Sequence, residues 1–254
     1  MPSRADYGID SPAIVVGLSI LSGLGFGSAM VWHVFGHPPP FWEIALIAAG
    51  VYFLLAACGM TWYSKVGKLR IRDEIVELIP WHGDEMVLDV GCGRGLLLIG
   101  AARHLTTGKA VGVDRWVAGA LTGNRPEAVL HNALLEGVSE RVEVKDGDVR
   151  QLPFADASFD AVLSNFVVHE VKSRAEREQV LREMVRVLKP GGRLALVDFI
   201  FTRECVRVLR EIGIRDAKRT RVGSFLSFWF SAILNLGLVQ TCQVKGTKPS
   251  SINV

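Results

Sequence analysis

Two uncharged apolar runs near the N-terminus constrain this chain more than any other feature. No Asp, Glu, Lys or Arg lies between Asp10 and Glu43, and Ala13 to Trp32 is one continuous apolar stretch. A second uncharged run extends from Ile44 to Trp62. A helix rises about 1.5 Å per residue, so each run reaches across a hydrocarbon core of about 30 Å. Between them stands His37-Pro38-Pro39-Pro40. Consecutive prolines remove backbone donors and fix φ, which suits a turn outside a bilayer. Gly17, Gly23, Gly25 and Gly27 are expected to let the two helices approach closely.

The flanking charges set an orientation. Lys65, Lys68, Arg70 and Arg72 follow the second run, whereas the connecting loop has no Lys or Arg. The positive-inside tendency places the chain after Tyr63 in the cytoplasm, with Arg4 and the N-terminus on the same side. The expectation is a two-pass integral membrane protein with both termini cytoplasmic. It has an anchor over 1–64 (helices about 13–32 and 44–62) and a second domain over 65–254. A cleaved signal peptide followed by a buried helix fits less well. The first run is too long, its leading charges are mixed, and a second run follows directly. The two runs explain a mean hydropathy of +0.28 in a chain with 22% charged residues. A net charge of +3 is too small to indicate a nucleic-acid binder. Cys58, Cys92, Cys205 and Cys242 have neither disulfide nor metal-ligand spacing and read as reduced thiols, with no metal site.

After Lys65 the pattern becomes alternating strand and helix. Arg72 to Leu78 reads as an amphipathic helix ending before Pro80. Strand signals cover Met86–Val90, Ala110–Asp114, Val142–Lys145, Phe159–Leu163 and Arg193–Phe199. Helix signals cover Gly95–His104, Pro126–Leu135 and Arg174–Leu188, the last stopped by Pro190-Gly191-Gly192. Such alternation predicts an α/β fold, a Rossmann-like parallel sheet with helices on both faces. Ligands then bind at the carboxyl ends of the strands. There stand Asp89-Val90-Gly91-Cys92-Gly93-Arg94-Gly95, then Asp114, then Asp146-Gly147-Asp148-Val149, then Asn165. A glycine loop alone is weak evidence, because dinucleotide enzymes also carry one. Here the third glycine falls at Gly95, where a dinucleotide fingerprint would want a small residue at Leu96. An acid at Asp89, at the loop's entrance, would repel a pyrophosphate and suits a cationic ammonium group. Asp114, about 20 residues past the loop, suits two ribose hydroxyls.

Val87 to Gly95 resembles motif I of class I S-adenosylmethionine-dependent methyltransferases, and Asp114 resembles the ribose-binding acid of motif II. Asp148-Val149 with Leu152-Pro153-Phe154 resembles the adenine-contacting segment. Ser158-Phe159-Asp160-Ala161-Val162 and Leu188-Lys189-Pro190-Gly191-Gly192-Arg193-Leu194 resemble the later strands and their loop. As a set these are most similar to small-molecule methyltransferases of the ubiquinone/menaquinone-biosynthesis type. The resemblance spans roughly Lys65 to Phe199. It implies a seven-stranded sheet closed by an antiparallel hairpin, for which Ile214–Val222 and Leu238–Lys245 are candidates.

The resemblance also implies S-adenosylmethionine as cofactor, held by Asp89, Gly91, Cys92, Gly93 and Gly95 from the loop. Asp114, Arg115, Asp148, Val149 and Asn165 would complete the pocket, with Tyr63 ahead of the first strand. Cys92 reads as a small loop filler. Ser64, Lys65 and Lys68 either lie over the cofactor or, for the lysines, hold the membrane face. His169 and Glu170 follow the fourth strand, where an acceptor approaches. His169 is either a base or orienter, with Glu170 second, or a residue that packs at a helix start.

Val222 to Val239 is uncharged and rich in aromatics, with Ser224, Ser227, Ser231 and Asn235 at helical spacing. A helix over about 223–236 would lie on the bilayer, line an apolar substrate entrance, or form a lid or dimer contact. The leading expectation is methyl transfer to a small lipophilic or amphiphilic acceptor dissolved in the bilayer. A soluble amine, thiol or peptide acceptor, or a non-catalytic cofactor-binding scaffold in a membrane complex, remain open, as does an oligomer. Nucleic acid is disfavoured, because Asn165-Phe166-Val167-Val168 lacks the Pro-Pro-aromatic segment of base-amino methyltransferases.

Overall fold

The computed structural model describes residues 5–36, 40–117, 121–222 and 241–250. The apolar segment expected over 223–236 lies outside the described residues, as does Pro38-Pro39 between the two runs. The first run forms α1 (Pro12–Phe35) and the second α2 (Pro40–Trp62), packed side by side. Both are long and apolar enough to cross a membrane by length and composition. Their outward faces carry Ile14, Ile20, Leu24, Leu54 and Leu55, all exposed. Of the four glycines expected at the helix contact, only Gly25 is there. A Cβ on it would stand 2.9 Å from the Gly50 nitrogen, whereas Gly17, Gly23 and Gly27 face open space. The second glycine of the contact comes from α2, and Ser22 Oγ donates to the Gly50 carbonyl at 2.9 Å.

Helix α2 does not end in a linker. A π-helical turn, Tyr63–Gly67, carries it into α3 (Lys68–Val76). The amphipathic stretch expected from Arg72 is therefore the end of one long helix that starts in the apolar hairpin. Its inner face buries Ile71, Ile75 and Val76.

The sheet has seven strands. They are β1 (Met86–Val90), β2 (Lys109–Asp114), β3 (Val142–Asp146), β4 (Phe159–Asn165), β5 (Leu188–Asp198), β6 (Lys218–Arg221) and β7 (Cys242–Thr247). Their order is β3-β2-β1-β4-β5-β7-β6, with only β7 antiparallel to its neighbours. Helices α4 (Leu96–Ala102), α5 (Pro126–Leu135), α6 (Arg174–Val187) and α7 (Thr202–Glu211) complete the layers. Strand β1 sits centrally and its Val87 to Val90 are all buried, as expected for a strand covered on both faces. The order reverses beside it, between β1 and β4, and a ligand crevice opens at such a switch point.

The structure corrects one expected helix stop, narrows the closing hairpin and adds a helix. Pro190-Gly191-Gly192 lies within β5, which begins at Leu188; Gly191 takes φ +81° and a register shift falls opposite, between Phe159 and Ala161. The closing antiparallel hairpin forms where expected, with narrower bounds: β6 is Lys218–Arg221, inside the expected span, and β7 is Cys242–Thr247, overlapping it. Helix α7 was not anticipated, although it buries Cys205, Val208 and Leu209 along one face.

Candidate active site

The glycine loop turns the chain from β1 into α4. Gly91, Gly93 and Gly95 have φ of 72°, 54° and 84°, a region costly for residues with a Cβ. Gly91 also has no room for one: a Cβ there would stand 2.3 Å from Val167 Cγ2. The Gly91 and Cys92 amides donate to the Val113 carbonyl, which ties the loop to β2. Cys92 is buried in the loop, where it borders the cavity, and burial raises its thiol pKa far above the ordinary range.

Asp114 ends β2 and organises the loop. Its Oδ2 accepts from Gly93 N at 2.9 Å and its Oδ1 from Trp116 N at 2.8 Å. A carboxylate retains acceptor sites beyond these two, so ribose hydroxyls can still be bound. Asp89 departs from expectation. It lies within β1, 2% exposed, and its Oδ2 caps α4 by accepting from Leu98 N at 2.9 Å. Burial pushes its carboxyl up to about 7, with Asp114 adding to the rise and the Leu98 hydrogen bond opposing it. Asp89 lines the cavity as a buried acid, not as a charge at the loop's mouth. Asp148 also differs: Arg150 grips its carboxylate, pulling it down to about 2, and Arg115 lies 3.5 Å away. The arginines hold its carboxylate on the cavity wall, with Val149 lining the cavity beside it.

Asp89, Gly91, Cys92, Gly93, Asp114, Arg115, Asp148 and Val149 line one cavity of about 810 Å³, whereas Gly95 only shapes the turn behind it. Asn165 ends β4 there, and its Oδ1 is buried without a hydrogen-bond partner among the described residues, as is that of Asn124. Tyr63 lines the wall from the π-helical turn. Of the two lysines, Lys68 is buried and lines the cavity, but it is not a membrane-face residue. Its Nζ donates to the carbonyls of Tyr7 at 2.8 Å and Gly8 at 2.9 Å and pairs with Asp10 at 3.3 Å. Lys65 is half-exposed and pairs with Asp6. These contacts fasten Asp6 to Asp10, ahead of α1, as a strap against the domain. Asn132 Nδ2 donates to the Asp6 carbonyl, and Ile9 exchanges hydrogen bonds with Thr122.

His169 and Glu170 lie in a short 3-10 turn, Val168–Glu170, past β4, and both line the cavity. The His169 ring is not idle packing. Its Nδ1 is 3.1 Å from Asp198 Oδ1, and its backbone N donates to Asp198 Oδ2 at 3.0 Å. Asp198 is fully buried at the end of β5, where it also accepts from the amides of Phe199 and Ile200. The carboxylate holds the proton on Nδ1 and leaves Nε2 as the ring's lone-pair nitrogen. Phe199 packs 4.4 Å from the ring, centroid to centroid. Glu170 has no comparable side-chain partner among the described residues. The strand expected to reach Phe199 overruns β5 by one residue and so hides Asp198, the residue that ends it. The same strand-end rule would have found it with the strand stopped at Val197.

This geometry places a cavity lined by a glycine loop and strand-end acids at a sheet switch point, with a His–Asp pair on its wall. Residues 88–196 match the family described as Methyltransferase domain. Methyltransferase GfsG of Streptomyces halstedii is 35% identical over 52% of this chain and 44% of its own length. The 27-O-demethylrifamycin SV methyltransferase of Amycolatopsis mediterranei is 33% identical over the same shares. A demethylmenaquinone methyltransferase of Listeria monocytogenes is 38% identical over 51% of each chain. The chain thus spans about half the length of the curated relatives it matches. An S-adenosylmethionine-dependent methyltransferase from Aquifex aeolicus shares the fold, with a TM-score of 0.53 at 18% identity over 72% of this chain and 93% of its own. So does the [4+2]-cyclase SpnF, with a TM-score of 0.56 at 21% identity over 72% and 82%.

The matched domain and its relatives support a class I methyltransferase with the Rossmann-like seven-stranded fold, and the cofactor is S-adenosylmethionine. The cavity fits it. The unpaired oxygens of Asn124 and Asn165 and the spare acceptor sites of Asp114 meet a ligand rich in N–H and O–H donors.

Proposed function

We propose that this chain is a membrane-anchored methyltransferase that methylates a hydroxyl oxygen of a small lipophilic or amphiphilic acceptor. The observation that carries the reaction is the His169–Asp198 pair on the cavity wall. The chemistry that S-adenosylmethionine supplies when bound is a methyl group already activated by its sulfonium. The protein must then position the acceptor and take its proton. His169 Nε2 accepts that proton from the hydroxyl, and Asp198 stabilises the resulting imidazolium. Phe166 and Phe199 pack against the ring, and Tyr7 and Asp10 of the strap line the cavity with the glycine loop. An acceptor that arrives without an acidic proton would need no such pair.

Anchoring is supported by the length and apolar surface of α1 and α2 and by the basic residues that follow them. The strap holds the segment before α1 against the catalytic domain, so both lie on one side of the hairpin, the cytoplasmic side by charge. Small-molecule acceptors also stand in the names of two relatives, demethylmenaquinone and 27-O-demethylrifamycin SV.

The test is transfer of labelled methyl from S-adenosylmethionine to the organic-soluble fraction of native membranes. Wild-type protein should label that fraction at a rate that His169→Ala lowers at least tenfold, with cofactor affinity unchanged. Tight cofactor binding with no label in any fraction would leave a cofactor-binding scaffold as the better account. Label confined to water-soluble amines, thiols or peptides would refute the lipophilic acceptor.

A further inference from the structure

The cavity does not end at the catalytic domain. Its wall continues onto the hairpin, where Ile14 and Leu18 of α1 and Met60 of α2 line it together with Tyr63. Ile14 and Leu18 stand one turn apart on the same face of α1. Ile14 is both part of the cavity wall and 53% exposed, so the cavity opens to the outside along the hairpin. Met60, by contrast, is buried at 7% and forms the opposite jamb.

The position of this opening relative to a bilayer follows from helix length. The 24 residues of α1 span roughly 36 Å, about 6 Å more than a hydrocarbon core, so each end overhangs by about 3 Å. Leu18 lies about 9 Å along from Pro12, hence about 6 Å inside the hydrocarbon. Met60 lies close to the inner boundary. With the hairpin across a bilayer, Leu18 stands among the acyl chains and Ile14 and Met60 at their edge, while the other end of the same cavity is lined by the glycine loop and His169.

We propose that this opening is a lateral portal. Through it, the apolar chain of a membrane-dissolved acceptor lies against Ile14, Leu18 and Met60 while its hydroxyl head reaches His169. The hairpin is then part of the active-site wall as well as an anchor. This rests on the membrane and methyl-transfer reading above, and it adds the route and the residues that read the acceptor's tail. A soluble acceptor would have no use for an apolar cavity wall within the hydrocarbon layer.

The experiment uses the full chain in phosphatidylcholine vesicles with two photoreactive hexadecanol probes, carrying a diazirine near the hydroxyl or near the chain end. The chain-end probe should label Leu18 and Met60, and the head probe should label the Phe166 and Phe199 region. Leu18→Trp with Met60→Trp should cut head-probe labelling at least tenfold and leave S-adenosylmethionine affinity within twofold. Label spread over outward residues such as Ile20, Leu24 and Leu55, with none at Leu18 or Met60, would overturn the portal. So would head-probe labelling that the tryptophans leave unchanged. Failure of the protein to float with vesicles would overturn both the anchor and the portal. Methyl transfer to the organic fraction without portal labelling would overturn the portal alone.

Discussion

Replacing Asp198 by Asn keeps the shape of the buried side chain and reverses its hydrogen-bonding role. The carboxylate now accepts from three backbone amides, His169 at 3.0 Å, Phe199 at 2.7 Å and Ile200 at 3.3 Å, and from the His169 ring. An amide has one oxygen. If that oxygen stays on Phe199 and Ile200, the NH2 group faces the His169 amide and ring. One buried amide loses its acceptor, at a cost of about 1–3 kcal/mol. The ring then turns its Nδ1 lone pair to the new donor and carries its proton on Nε2, where it cannot take one from an acceptor. Loss of a positioned base lowers turnover by about 10²–10⁴, or roughly 2.7–5.4 kcal/mol in the barrier. The assay compares initial rates of labelled-methyl transfer into the organic fraction for wild type, Asp198→Asn and His169→Ala, with cofactor affinity by calorimetry and Tm alongside. Both variants should fall together in rate, with cofactor affinity within about threefold. Asp198→Asn protein that lost Tm but kept its rate within twofold would show that Asp198 only props up the turn, and the base assignment would fail.

Gly91→Ala should cost about 2 kcal/mol of stability, because φ of 72° is a left-handed conformation and the new Cβ meets Val167 Cγ2. Cofactor affinity should drop with it, and Val167→Ala added to Gly91→Ala should recover part of the loss in thermal melts. Asp89 gives a pH dependence. Its carboxyl sits at about 7 when folded, above its unfolded value, so without ligand it binds a proton that the unfolded chain releases. Its contribution to stability is therefore greatest below about pH 4 and is lost as pH rises through 7. A cationic ligand favours the ionised form, so cofactor affinity should weaken as pH falls below 7, with proton release on binding in calorimetry. Asp89→Asn should flatten that profile; an unchanged profile would place the cation elsewhere. Lys68→Met leaves the Tyr7 and Gly8 carbonyls without their buried donor. It should speed limited proteolysis ahead of Pro12 and weaken cofactor binding about tenfold, and a strap that stays protected would refute its role as a clasp.

What could be read along the chain was whatever short-range chemistry imposes. Uncharged runs of the right length made α1 and α2, apolar runs flanked by glycine and acid made β1 and β2, and Pro126 opened α5. Gly91, Gly93, Gly95 and Asp114 were identified because a tight turn into a helix and an acid at the next strand end leave a local pattern. Tertiary structure decided what depends on parallel neighbours and on long-range packing. Asp198 meets His169 because β5 runs beside β4, with Val197 in register with Asn165, and sequence spacing carries no trace of that pairing. Asp89 could be read as an acid beside the loop, but the rise of its carboxyl to about 7 depends on tertiary burial, since its strand is covered on both faces. Lys68 looked like a topology signal until the strap folded back on it, since a lysine's role depends on which carbonyls surround its ammonium. The apolar hairpin could be recognised as a helix pair from its composition. That its inner turns form a wall of the cofactor cavity depends on the unbroken passage of α2 through Tyr63–Gly67 into α3, which aims the hairpin at the site.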